Sequence, residues 1–237
     1  MRTPSLLAGI LFLSFIPAAP RFDYAELFGS DYTWARSWVN THATAFERTA
    51  RPLDIPAADL EAIVFPELIR YNGVYDAMEI QSLKFLYVSQ GSDYANFSVG
   101  YFQMKPSFAE NIEKDAQIYL GIRDIAALGL TGLSLQEDNA VHRRERVNRI
   151  TSVDGQLKYL AAFYKICRSK FRDLSFAGDD ERVRFLATCY NAGYYFTADE
   201  VKARVNRKFF HTGKIITSAN YCYADISAYW LTHRLLL

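Results

Sequence analysis

Apolar positions recur at helical spacing along most of the chain. Over residues 32–49, Trp34, Trp38, Val39, Ala45 and Phe46 share one broad face. Pro52 and Pro56 break this pattern. Leu60, Ile63, Val64 and Leu68, at i, i+3, i+4 and i+8, then predict a helix over 57–71. Pro66 lies inside it and is expected to kink it or interrupt its ladder, because proline has no N–H to donate. Asn72-Gly73 is a stop signal, and 76–90 predicts another helix, closed by Gly91. Residues 93–103 mix Ser, Asn, Gly and aromatics and read as a loop or short β excursion. Pro106 suits the first turn of the next helix. Ser134 with Glu137 and Thr197 with Glu200 are capping-box pairs. Helices are expected over 153–172, from Asp179/Asp180 to Tyr190, over 197–210 and over 221–236. No repeat, low-complexity tract or linker interrupts the order. The expected architecture is mainly α, in a single domain over 21–237, with a small irregular or β element near 91–103.

One carboxylate breaks an apolar run. Glu67 sits in Ala62-Ile63-Val64-Phe65-Pro66-Glu67-Leu68-Ile69-Arg70-Tyr71, in the last turn or so of a buried helix. Burial disfavours the charged form, so such a glutamate is either paired, with Arg70 for example, or kept protonated. A carboxylic acid that stays neutral near pH 7 can protonate a glycosidic oxygen so that it leaves as an alcohol.

Composition narrows the picture further. The 237 residues are half hydrophobic, enough for one large core, and the net charge of +1 gives no reason to expect a nucleic-acid partner. Sixteen Tyr and seventeen Phe are mostly core, with a few available to stack on sugars. Residues 1–20 read as an export signal: Arg2, an apolar stretch over 6–16 too short for a confident span, and small residues at Pro17-Ala18-Ala19. No cysteine ends this segment, so a lipid anchor is not indicated. Export places the protein in the periplasm or cell envelope, where disulfides persist. Three cysteines allow at most one internal pair; Cys189 and Cys222 are candidate neighbours, and buried free thiols are the alternative. Neither the cysteines nor the scattered His42, His142, His211 and His233 have metal-ligand spacing, and no cofactor is expected.

Two further segments join Glu67. They are Ser98-Val99-Gly100-Tyr101-Phe102-Gln103-Met104-Lys105-Pro106 and Ala187-Thr188-Cys189-Tyr190-Asn191-Ala192-Gly193, followed by Asn220-Tyr221 before a final helix. This order resembles the soluble lytic transglycosylases of the lysozyme-like superfamily, with their E-S, G-L-M-Q, A-Y-N-A-G and late tyrosine, and the resemblance covers about residues 55–235. It implies a lysozyme-like fold and peptidoglycan glycan strands as substrate. Glu67 would be the only essential carboxylate, first general acid and then general base, at the β-1,4 bond between N-acetylmuramic acid and N-acetylglucosamine. The C6 hydroxyl of the substrate would close a 1,6-anhydro ring, assisted by its acetamido group. Most glycosidases use a second carboxylate instead.

The remaining positions have physical reasons of their own. Gly100, lacking Cβ, would let backbone approach a sugar. Gln103 both donates and accepts. Tyr190 and Tyr221 could hydrogen-bond near Glu67 or stabilise developing positive charge. Asn191 could hold a sugar amide or cap the turn, and Ser98 could bind substrate or fix the loop. The chain also departs from the pattern. Leu68 follows the glutamate in place of serine, Tyr101 and Phe102 replace leucine and methionine, and an extra segment around 76–91 is expected to border the groove. Asp76, Glu79 and Asp93 are candidates for a second carboxylate, with solvated surface as the more ordinary place for each. A lysozyme-type muramidase, or a non-catalytic peptidoglycan-binding protein of the same fold, are the competing readings. Cell-wall machinery proteins are possible partners, unidentified by any motif.

Overall fold

The computed structural model describes residues 22–135, 137–212 and 219–235. The leader expected over residues 1–20 lies outside them. Helices α1 (Tyr24–Phe28), α2 (Ser30–Ala50), α3 (Ala57–Arg70), α4 (Gly73–Ser82) and α5 (Val88–Gln90) come first, α4 and α5 being joined by a π-helical turn at Leu83–Tyr87. An irregular segment leads to α6 (Pro106–Tyr119), α7 (Ile122–Ala127), α8 (Ala140–Thr151), α9 (Val153–Lys170), α10 (Asp179–Ala192) and α11 (Ala198–Lys202). Strands β1 (Lys208–Phe210) and β2 (Tyr221–Cys222) pair antiparallel before α12 (Tyr223–His233). The fold is mainly α, as its periodicity predicts.

Helix α3 is the hub. Nearly every residue from Ala57 to Ile69 is buried, because α2, α10 and α12 pack around it. Phe65 stacks on Trp230 of α12 at 4.1 Å and meets Tyr32 of α2 edge-on at 5.1 Å. That enclosure explains how the helix runs through Pro66 to Arg70 rather than ending there. Tertiary packing on all sides outweighs the local cost of a missing donor. One apolar cluster then extends from Tyr24 through α3, α6, α9 and α10 to Trp230.

The irregular segment over 91–105 is present and carries a single β bridge, Val99 with Met104. The paired strands lie elsewhere, in a stretch expected to be helical. The helix begun by Thr197 has its capping box with Glu200 but stops at Lys202. Phe210 then turns inward against Tyr223, with ring centroids 5.1 Å apart, which suits a strand rather than a further helical turn. Because Tyr221 and Cys222 pair with β1, the last helix starts at Tyr223. Near Ser134 and Glu137 there is a short 3-10 turn (Leu133–Leu135), and α8 begins only at Ala140, N-capped by the Asn139 side chain. Among the described residues no helix is long and apolar enough to cross a membrane, and no cluster of ligating side chains could hold a metal ion.

Candidate active site

Glu67 lies in the last turn of α3 and is 4 % exposed. Arg70, one turn on, approaches Glu67 Oε2 to 2.6 Å. The contact is an ion pair without hydrogen-bond alignment, so Oε2 has no hydrogen-bond partner. Burial pushes the Glu67 carboxyl above the ordinary glutamate range, and the Arg70 cation pulls against it without cancelling it.

Two tyrosines complete the surroundings of Glu67. Tyr223, at the first position of α12, reaches the carboxyl and donates its own hydroxyl proton to the Ile63 carbonyl at 2.9 Å. Tyr190, from α10, feels the charge of Glu67 and donates to the Phe102 carbonyl at 2.7 Å. Burial and the neighbouring carboxylate push both phenols up. At Glu67 itself Tyr223, like Arg70, pulls against burial without cancelling it.

A cleft of about 400 Å³ opens beside this group. Arg70 lines it, so Glu67 lies one side chain beneath its surface. One wall comes from the start of α4, through Asn72, Tyr75, Asp76 and Glu79. The other comes from Asn96, Phe97, Ser98, Gln103 and Lys105, with His211 and Thr212 at the edge. The 76–91 segment therefore does border the cleft, at its N-terminal end.

The turn over 99–104 is braced from two helices. Asp76 Oδ1 accepts the Gly100 N–H at 2.5 Å, and its Oδ2 accepts the Tyr71 hydroxyl at 3.3 Å. From α9, Gln156 donates to the carbonyls of Val99 (3.0 Å) and Ile150 (2.7 Å) and accepts from the Phe102 N–H (3.3 Å). Gln103 adopts φ +50°, unusual for a residue with a side chain, and its Nε2 donates to the Gly100 carbonyl at 2.9 Å. Strain of this kind persists only where surroundings enforce it, and it clusters at functional sites.

Several expected roles change. Gly100 is buried with φ +74°, and a Cβ there would stand 1.8 Å from Gln156 Nε2. The close approach it permits is to Gln156, not to a sugar. Tyr221 is half-buried in β2, edge-on against Phe28 at 5.0 Å; the late tyrosine that reaches Glu67 is Tyr223. Ser98 and Gln103 both line the cleft. Asn191 is exposed in the last turn of α10, outside the lining. Asp76 is buried rather than solvated, and burial pushes its carboxyl up; burial also raises the half-buried Glu79. All three cysteines are free and buried. Cys222 Sγ contacts the Val205 carbonyl at 3.0 Å, whereas the thiol beside Cys189 is Cys167.

Sequence reasoning missed Tyr223 and Gln156, and offered Asp76 only as a candidate second carboxylate, not as the acceptor that braces Gly100. Tyr223 had a signal, two residues beyond the chosen tyrosine, but choosing between them needed the strand that ends at Cys222. Comparison with family models, curated proteins and solved structures finds no match to this chain.

Proposed function

We propose that this protein is a lytic transglycosylase of peptidoglycan, with Glu67 as its single general acid and base. The carrying observation is a carboxyl buried beneath a polar cleft and held above its ordinary pKa by desolvation. In the forward step Glu67 gives its proton to the glycosidic oxygen and the bond from C1 to that oxygen breaks. The substrate's C6 hydroxyl oxygen bonds to C1 and its proton passes to the Glu67 carboxylate, restoring the acid. No water is consumed. Burial favours the acid at the start, and Arg70 stabilises the carboxylate that exists between the two proton transfers. Gln103 and Ser98, which line the cleft, would hold hydroxyl or acetamido groups there, and Tyr190 and Tyr223 would orient the carboxyl. Export to the periplasm or envelope belongs to the same proposal.

Two observations favour other readings. Asp76 and Glu79 face the cleft, as a hydrolytic muramidase with a second carboxylate would need. The Arg70 contact suits a glutamate with a structural role in a non-catalytic binding protein. Mass spectrometry of products from purified sacculi, wild type beside Glu67→Gln, separates all three. Fragments one water lighter than hydrolysis products, lost in the variant, are expected. Reducing ends would establish the muramidase, and intact sacculi that still bind the protein would establish the binding module.

A further inference from the structure

An aromatic stack lies beside the cleft. Trp34, on α2, lies nearly parallel to Tyr71, with centroids 5.6 Å apart and planes at 10°, and also faces Tyr101 at 6.4 Å. Tyr71 and Tyr101 pack at 4.6 Å, and Tyr101 continues onto Trp38 at 4.8 Å. The stack thus begins in the core and ends at Trp34, which is 41 % exposed. It adjoins the cleft at two points. Tyr71 hydrogen-bonds Asp76 of the lining, and Tyr101 belongs to the same braced turn as Gln103.

From this arrangement we propose that Trp34 is the floor of an additional sugar subsite, on which one pyranose of the glycan strand stacks where the strand leaves the cleft. The inference rests on the glycan-cleaving reading above. Its chemistry is specific. A β-linked N-acetylhexosamine carries its substituents equatorially, so its axial C–H bonds form an apolar face that fits an indole, while its hydroxyls and acetamide point sideways to polar groups. Asn72 and Gln103 stand on the adjoining lining to take them. A scattered exposed tryptophan would need no explanation. Trp34 differs because its ring is already held in orientation by two others, so little freedom is left to lose on binding.

The three tryptophans make the test direct. Trp38 and Trp230 are buried, so quenching by acrylamide reports chiefly on Trp34. The probe is soluble glycan strands of alternating N-acetylglucosamine and N-acetylmuramic acid, added to the full chain carrying Glu67→Gln. Strands are expected to shield the quenchable tryptophan, and adding Trp34→Ala is expected to raise Kd about tenfold, with Trp34→Phe between the two. Strands that bind while leaving Trp34 fully quenchable, or Kd unchanged by Trp34→Ala, would overturn the subsite. Absence of binding would overturn it too. The parent reading is judged separately, by anhydro products from the wild type on sacculi. Should Trp34→Ala fail to fold, the shielding measurement on the unaltered ring still decides.

Discussion

At the scale of single residues, the site is a contest over one proton. Burial raises the Glu67 carboxyl and Arg70 lowers it, with burial prevailing. The acid form is present below the folded-state pKa and lost as pH rises through it. The alkaline limb of kcat/KM on sacculus-derived glycan is therefore expected to sit above the ordinary glutamate range. Arg70→Met removes the lowering influence and should move that limb to higher pH; a limb that stays in place would mean another group sets it. Stability follows the same sign. Because the folded pKa is raised, Glu67 binds protons more tightly folded than unfolded, and stability falls as pH rises from the ordinary glutamate value through the folded one. Glu67→Gln should flatten that slope, as urea midpoints measured across the window would show. Gly100 gives a purely steric case. Gly100→Ala meets a positive φ and Gln156 Nε2 at 1.8 Å, and should cost about 3 kcal/mol in urea unfolding. These residues were unevenly legible in the sequence. A lone carboxylate in an apolar run marks itself, and so does Gly100. The reason Gly100 must be glycine did not, since Gln156 lies 56 positions away.

Among the elements, periodicity was a good guide wherever one face decides burial. The apolar spacing of α2, α3, α9 and α10 predicted helices close to those observed, and Thr197 with Glu200 marked the start of α11. It failed at 203–210 and at Tyr221–Cys222, where pairing of Lys208–Phe210 with Tyr221–Cys222 depends on a distant partner. It was equally silent on the polar joint between α6, α8 and α9. There Glu113 Oε2 accepts from Arg146 Nε (3.0 Å) and Nη2 (2.7 Å), while Oε1 accepts from Arg149 (3.1 Å) and Tyr159 (2.5 Å). Arg146 also donates to Tyr87 of the π-helical turn at 2.6 Å. The joint thus ties the helix bordering the cleft to the rest of the bundle. Glu113→Ala would leave buried Arg146 only the longer ion pairs to Glu110 (3.6 Å) and Asp138 (3.9 Å) and should cost about 3 kcal/mol. Asp154→Ala, which removes the exposed Lys158 pair of α9, should cost about 0–1 kcal/mol. Urea midpoints of the two variants side by side would check the contrast, and similar losses would mean the network contributes little.

For the whole molecule, the question is whether the cleft and the bundle open as one body. The apolar cluster that encloses α3 also contains α9 and α10, so the helices carrying Glu67 and Tyr190 share one core with those carrying Cys167 and Cys189. Cys222 is buried as well, but in a two-strand ladder, where its thiol meets the Val205 carbonyl and Asp225. Short ladders have few hydrogen bonds to hold them and belong to the low-stability end of a structure, whereas core helices open only with global unfolding. The free thiols therefore report on two depths of the same molecule. Under native conditions, pulsed alkylation followed by peptide mass mapping should modify Cys222 first. Cys167 and Cys189 should follow together, at a rate that rises with urea as steeply as global unfolding measured by circular dichroism. If Cys189 were modified well before Cys167, α10 would be detaching from α9, and Tyr190 would leave Glu67 in a partly opened state. If all three reacted at one rate, the strands would be as firmly held as the core. Tyr223, which follows β2 directly, would then be anchored beside Glu67 from both ends.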